Sequence, residues 1–341
     1  MKLHVFRQRK IKSIILIFLG WLIVNMIVLA FFDYQERIFI LSKGVDPDLA
    51  KKFKVISRQV SVPGYSKQFP VKSRLLCPRE RRHGGKYPLI VFLHGAGERG
   101  FDNVAQLKSL PQRLAAEDEQ EKYTCFLLAP QCPPKMDWSS ETVLIDSTST
   151  AGQKTILLDL VYQLILDISA KHSIDTNRIY ITGYSMGGYG TWSMLARYSD
   201  LFAAASPLCG GGDPKSVEKF AHIPLWVVHG DADQVIPVTE SRKMVEALRM
   251  NGGRPEYQEL HNVKHDCWSI TYNQTDKMLE WLFKQKNELR KGIFEKKISN
   301  LELLAYADYR CITSVFYQIP YLLKRFLYAV QFPCEIRINA C

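Results

Sequence analysis

Ile179-Tyr180-Ile181-Thr182-Gly183-Tyr184-Ser185-Met186-Gly187-Gly188-Tyr189-Gly190-Thr191-Trp192 is the most informative run in this 341-residue chain. It opens on a short apolar, β-prone segment, sets one serine between Gly183 and Gly187, and passes at once into residues that can be helical as far as Tyr198. A serine hydroxyl is a weak nucleophile at neutral pH, so it has to be held where a base can take its proton and a carbonyl can approach. A strand, a sharp turn and a helix in that order hold it there, out of the edge of a sheet. The flanking glycines allow so tight a turn. A five-residue pattern with two fixed glycines also arises by chance, so the neighbouring segments carry the decision.

Three of them do. Upstream, Leu89-Ile90-Val91-Phe92-Leu93 is an unbroken apolar run, the pattern of a parallel strand buried on both faces. It ends in His94-Gly95-Ala96-Gly97-Glu98-Arg99-Gly100, a glycine-rich loop able to aim backbone N–H groups into a pocket. Downstream, Pro224-Leu225-Trp226-Val227-Val228 runs into His229-Gly230-Asp231-Ala232-Asp233, which puts a carboxylate just past a strand end. Later, Tyr257-Gln258-Glu259-Leu260 leads to His261-Asn262-Val263-Lys264-His265, again a histidine in the loop after a strand. The order serine, acid, histidine is that of the α/β-hydrolases.

The chemistry assigns each group a part. His265 is the general base for Ser185 and returns the proton to the leaving group, while Asp233 orients the imidazole and stabilises its charged form. The backbone N–H of Met186 donates to the tetrahedral oxyanion, with a second donor expected from Ala96. Gly97 and Trp138 are candidate substrate-binding residues, Trp138 as part of the Pro-, Ser- and Thr-rich connection 130–149. Asp231 and His261 remain alternatives to Asp233 and His265. His94 and His229 close apolar strands, where structural hydrogen bonding is the expected role.

The run from Asp175 to Trp192 resembles the elbow of bacterial esterases related to dienelactone hydrolases, polyhydroxybutyrate depolymerases and feruloyl esterases, a group that includes predicted peptidases and phospholipase/carboxylesterase-like hydrolases. The resemblance extends to the 94–100 loop, Ala129-Pro130-Gln131-Cys132-Pro133, Cys209-Gly210-Gly211-Gly212-Asp213-Pro214 and His265-Asp266-Cys267-Trp268, and so covers roughly residues 56–286. It implies an α/β-hydrolase fold and ester hydrolysis without metal or organic cofactor. It also puts Cys209 and Cys267 in active-site loops.

Elsewhere, the pattern fits a mostly parallel sheet with helices on both faces. Strands are expected at 55–62 and 72–77, as an antiparallel start, and at 89–93, 124–128, 179–182, 203–208, 225–228 and 257–260. Helices are expected at 103–116, 152–170, 188–198, 239–251 and 273–286.

Before this domain lie Lys2, Arg7, Arg9, Lys10 and Lys12, then an uncharged apolar stretch from Ser13 to Phe32. Its length, roughly twenty residues, suits a bilayer-spanning helix. The basic cluster predicts a cytoplasmic N-terminus, residues 1–12, with the catalytic domain periplasmic or extracellular. Bulky Phe31 and Phe32, and the length of the apolar run, favour an uncleaved signal anchor over a cleaved signal peptide followed by secretion. The organisation expected is therefore a signal anchor at 13–32, a linker at 33–55, a catalytic domain at 56–286 and a C-terminal extension at 287–341.

Of the formal charge of +11, about eight units lie in the first twelve residues and in 287–341, so the basic balance belongs to the ends and leaves no nucleic-acid footprint. The eight cysteines show no CxxC or Cys/His metal spacing. The function expected is a serine esterase acting on a small-molecule or polymer-linked ester, with contact to a membrane through the N-terminal helix. Its rivals are a serine peptidase of the same fold and a non-catalytic membrane-tethered binding module.

Overall fold

The apolar run ending at Leu93 is the interior of β3 (Tyr87–Leu93), every residue of which after Tyr87 is buried. Residue parity along it divides the core in two. Leu89, Val91 and Leu93 face one side of the sheet with Phe126, Leu164, Trp192 and Met244. Ile90 and Phe92 face the other with Leu110, Tyr272 and Leu279. A continuous rather than alternating apolar pattern is what a strand covered on both faces requires.

The computed structural model describes residues 2–61, 68–80, 82–139, 142–143, 154–155 and 157–287. The C-terminal extension lies outside the described residues from 288 onward, and with it Cys311, Cys334 and Cys341. The sheet contains β1 (Phe53–Ser61), β2 (Gln68–Leu76), β3, β4 (Phe126–Pro130), β7 (Ile174–Tyr184), β8 (Ala204–Leu208), β9 (Trp226–Gly230) and β10 (Glu256–Leu260). Its strand order is β1-β2-β4-β3-β7-β8-β9-β10. β2 runs antiparallel to both β1 and β4, and every later pairing is parallel. A separate two-stranded ribbon joins β5 (Thr142–Val143) to β6 (Lys154–Thr155). This is the α/β-hydrolase architecture.

On the first face lie α5 (Leu157–Lys171), α6 (Met186–Tyr198) and α7 (Thr239–Met250). On the second lie α3 (Leu110–Leu114), α8 (Cys267–Asn273) and α9 (Lys277–Lys284). The long helix expected at 103–116 is not there. Asn103 at φ 57° and Ser109 at φ 63° adopt a backbone that no right-handed helix continues through. Asp102 instead accepts from the N–H groups of Val104 and Ala105 at 2.8 Å each, and two short helices follow, α3 and then α4 (Glu117–Lys122). The expected helix 273–286 is shorter, with α9 beginning only at Lys277 after the separate α8 ends at Asn273, and the one expected from 152 begins only at Leu157, because 154–155 are spent in β6.

At the other end, α1 (Lys2–Ser42) runs straight through the apolar segment and ten residues beyond Phe32. Phe18, Trp21, Met26, Leu29, Phe31 and Phe32 are all exposed. The region expected as a linker, 33–55, is ordered and packed. Ile40, Val45, Ala50 and Phe53 are buried in the second core, α2 (Pro47–Ala50) is capped by Asp46, and Asp33 and Arg37 pair with Lys51 at 2.9 Å and Asp48 at 2.7 Å. Lys43 approaches Asp102, at the end of the loop after β3, to 3.6 Å.

Candidate active site

β7 turns into α6 at Ser185, whose φ of 55° and ψ of −118° are unusual for any residue with a side chain. Such a backbone costs on the order of 1–3 kcal/mol and persists where its surroundings over-determine it. Here the Ser185 N–H donates to Leu208 O at 3.0 Å, and its own carbonyl accepts from Tyr189 N–H at 3.1 Å. Neither Gly183 nor Gly187 has positive φ. Their role is close approach: a Cβ on Gly183 would lie 2.5 Å from Gly187 O, and one on Gly187 only 1.9 Å from Leu93 O. The serine itself bears the strained turn, and the glycines let α6 touch the end of β3.

His265 Nε2 lies 2.9 Å from Ser185 Oγ, and His265 Nδ1 lies 2.7 Å from Asp233 Oδ2. A carboxylate can only accept, so the Nδ1 proton belongs to His265 and leaves Nε2 free to accept the serine hydroxyl. Burial alone would raise the Asp233 carboxyl, but the hydrogen bond from His265 and the N–H groups of Ile236 and Val235 overcome it and hold the group below its usual 3.8. The acid therefore stays ionised through the neutral range. His265 is partly open to solvent, with its ring edge against Trp268 at 5.3 Å between centroids.

The alternatives left open by the sequence pair with each other elsewhere. Asp231 accepts from His261 Nδ1 at 2.9 Å and from Asn262 N–H at 2.7 Å, and Asn262 at φ 58° turns His261 outward, where its side chain is 84% exposed. His94 is buried: its Nδ1–H donates to Gly95 O at 2.6 Å while Nε2 accepts from Cys132 N–H at 2.9 Å. Burial lowers its pKa to about 4 and keeps it neutral. It therefore serves as a brace for the glycine loop.

Met186 opens α6 and Ala96 opens a short 3-10 turn, Ala96–Glu98. Their N–H groups stand at helix starts, where no preceding turn supplies an acceptor. The 1.9 Å and 2.9 Å distances from a Gly187 Cβ to Leu93 O and His94 O show how closely the elbow abuts the strand that leads into the loop. Gly97 is exposed with open space around it.

Trp138 corrects the sequence reading. Its side chain is 0% exposed, so it cannot line a substrate wall. The indole N–H donates to His94 O at 2.9 Å, its ring meets the His94 ring edge-on, and its Cβ occupies the space beside Gly190. It supports the loop from beneath. The residue missed was Trp268, whose ring stacks on Tyr184 at 4.4 Å while touching His265. Trp268, Tyr184 and Glu98 line a cleft of about 780 Å³ together with Arg113, Leu49 and Gly44; it adjoins the relay through Trp268, and Ser185, Asp233 and His265 are not among its lining residues. Only the aromatic character of the quoted 265–268 segment could have pointed to it. Cys125, Cys132, Cys209 and Cys267 are buried, and burial pushes the Cys125 and Cys132 thiols up to about 12.

A family profile described as phospholipase/carboxylesterase matches residues 80–283, a span holding Ala96, Ser185, Met186, Asp233, His265 and Trp268. The chain belongs to that family. Among the relatives of this chain, poly(3-hydroxyalkanoate) depolymerase C of Paucimonas lemoignei is 45% identical over 62 residues, which is 18% of this chain and 14% of the depolymerase. Cutinase est1 of Thermobifida alba is 31% identical over 146 residues, 42% of this chain and 48% of the cutinase. The crystal structure of a thermostable esterase superposes with a TM-score of 0.61 at 38% identity, over 70% of this chain and 64% of that one. The chain thus spans less than two thirds of the length of each of these relatives.

Proposed function

We propose that the chain is a serine esterase that hydrolyses carboxylic esters through an acyl-enzyme on Ser185. The observation that carries this is the continuous relay from Ser185 Oγ to His265 to Asp233, at 2.9 Å and 2.7 Å. In the forward step, the Ser185 oxygen attacks the ester carbonyl as its proton passes to His265 Nε2. The imidazolium so formed is stabilised by Asp233, and the oxyanion takes the N–H groups of Met186 and Ala96. Collapse expels the alkoxide, which leaves with the His265 proton. Water then repeats the sequence on the acyl group and frees Ser185.

The cleft of about 780 Å³ beside Trp268 is roomy enough for an ester borne on a bulky or polymeric group as well as a small one. The depolymerase and cutinase among the relatives point in the same direction. The test is a panel of esters varied in acyl and alcohol parts, run on the full chain in detergent beside Ser185→Ala. Equal rates for the two proteins would sink the mechanism, and a chain inert both to activated esters and to fluorophosphonate labelling would support a binding role instead.

The compartment is part of the proposal. The chain is held by α1 as an uncleaved signal anchor, with the catalytic domain on the non-cytoplasmic side. Cleavage among the apolar residues would leave a stub of the same helix whose Ile40 is packed into the domain core. Washing membranes with alkaline carbonate checks this: release of the protein into the supernatant would count against the anchor.

A further inference from the structure

A second histidine stands beside the acid of the relay. His229, the penultimate residue of β9, is 0% exposed, and its Nε2 lies 3.2 Å from Asp233 Oδ2, the oxygen that accepts from His265 Nδ1. The same Nε2 is 3.0 Å from Ile236 O. On the far side of the ring, Nδ1 lies 2.7 Å from Ser241 Oγ in the first turn of α7, which is also 3.0 Å from Gly210 O in the loop after β8.

Donor and acceptor chemistry fixes the ring. Ile236 O and the Asp233 carboxylate can only accept, so the proton sits on Nε2, and the one Ser241 hydroxyl proton lies between two acceptors, Nδ1 and Gly210 O. Burial keeps the ring neutral, holding its pKa below 6.5 against the opposing pull of Ile236 O and Asp233. The N–H donates to Ile236 O, and the Asp233 carboxylate lies beside it, 3.2 Å from the same nitrogen.

That placement bears on both oxygens of the acid. Asp233 Oδ1 accepts from Val235 N–H at 2.8 Å and Ile236 N–H at 3.0 Å, and His229 holds Ile236 by its carbonyl. Oδ2 has His229 Nε2 on one side and His265 Nδ1 on the other. A carboxylate held only through Oδ1 can still swing about its own bonds. We propose that His229 is a positioning residue for Asp233: it closes the turn that holds Oδ1 and confines Oδ2 to the direction of His265. It touches neither substrate nor Ser185 and acts only through the carboxylate. This rests on the Ser185, His265 and Asp233 reading above.

The experiment measures kcat and KM of the full chain in detergent on p-nitrophenyl acetate. His229→Leu removes the donor and is expected to lower kcat by on the order of 10²-fold, the cost of misplacing a catalytic group by about 1 Å, with KM within about twofold. His229→Gln puts an amide N–H near the Nε2 position and is expected to recover kcat to within about threefold. His229→Asn, which keeps polarity toward Ser241 but withdraws the donor from Asp233, should lose activity as the leucine does; it serves where the leucine variant fails to fold. In an Asp233→Ala background, removing His229 should cost less than twofold more. Equal losses for the glutamine and asparagine variants, or losses that multiply in the Asp233→Ala background, would overturn the proposal in favour of simple packing. Full activity in Ser185→Ala would instead bring down the underlying mechanism, whereas an inactive Ser185→Ala beside fully active His229 variants would defeat this inference alone.

Discussion

Gly187→Ala tests whether the contact between the elbow and β3 sets the catalytic geometry. The new Cβ would lie 1.9 Å from Leu93 O, 2.6 Å from Leu93 C and 2.9 Å from His94 O, all backbone atoms that no rotamer can move aside. To reach even the 3.0 Å limit of real contacts, α6 and the end of β3 must separate by about 1.1 Å. That displacement acts on the pair of donors proposed for the oxyanion, because Met186 moves with α6 and Ala96 with β3. A misplacement of about 1 Å costs on the order of 10²-fold in rate, and overpacking costs about 1–3 kcal/mol in stability. The expected outcome on p-nitrophenyl acetate is therefore a kcat lowered about a hundredfold with little change in KM, slower fluorophosphonate labelling of Ser185, and a melting temperature lower by several degrees. A variant that melts early yet turns over at the wild-type kcat would refute the reasoning, since the strand and helix would then have separated without consequence for the chemistry.

Trp138→Phe deletes the donor to His94 O while keeping most of the packed ring; stability should fall by about 1 kcal/mol in urea titration and kcat by several-fold. Glu259 is held at about 2, chiefly by its hydrogen bond from Arg242. Its folded pKa lies below its ordinary 4.5, so the pair stabilises fully above that pH and is lost as pH falls toward about 2. The Arg242 and Glu259 side chains are 52% and 29% exposed, so solvent screening keeps the effect small; the melting difference between wild type and Arg242→Met should vanish in acid. Chains begun at residue 33 and at residue 53 should differ sharply, because only the second loses the buried Ile40, Val45 and Ala50, of which Ile40 and Val45 contribute about 1.5–3 kcal/mol each. Circular dichroism melts would show it as a large drop in melting temperature for the shorter chain.

What the sequence made legible was local. Strand 89–93 and the elbow at Ser185 are short patterns whose physics needs no distant partner, and the parallel sheet followed from their alternation with helices. Spacing favours Asp233 over Asp231 and His265 over His261, but what parts the two pairs in space, the positive φ of Asn262 and the turn after Gly230, only the folded loops reveal. Residues 103–116 have helical periodicity, yet Asp102, Asn103 and Ser109 offer the backbone local alternatives that win there. Trp138 was misassigned because a tryptophan in a polar loop looks exposed until His94 O, 44 residues earlier, is known to be its partner. The docking of 33–53 was equally invisible: Ile40, Val45 and Phe53 are too widely spaced to announce a core.

The unbroken passage of α1 into that docked segment has a consequence for reach. With residues 13–32 in a bilayer, the ten residues of α1 after Phe32 rise about 15 Å, and Asp33, Arg37 and Ile40 among them already fasten the helix to the docked segment and the core. Such a mast transmits tilt and rotation, where a flexible tether would average them away. The cleft that Gly44 and Leu49 of the same segment help to line would then travel at a near-constant height over the membrane. Which esters meet the serine would be selected by their altitude before any pocket contact is made, and search would run in two dimensions.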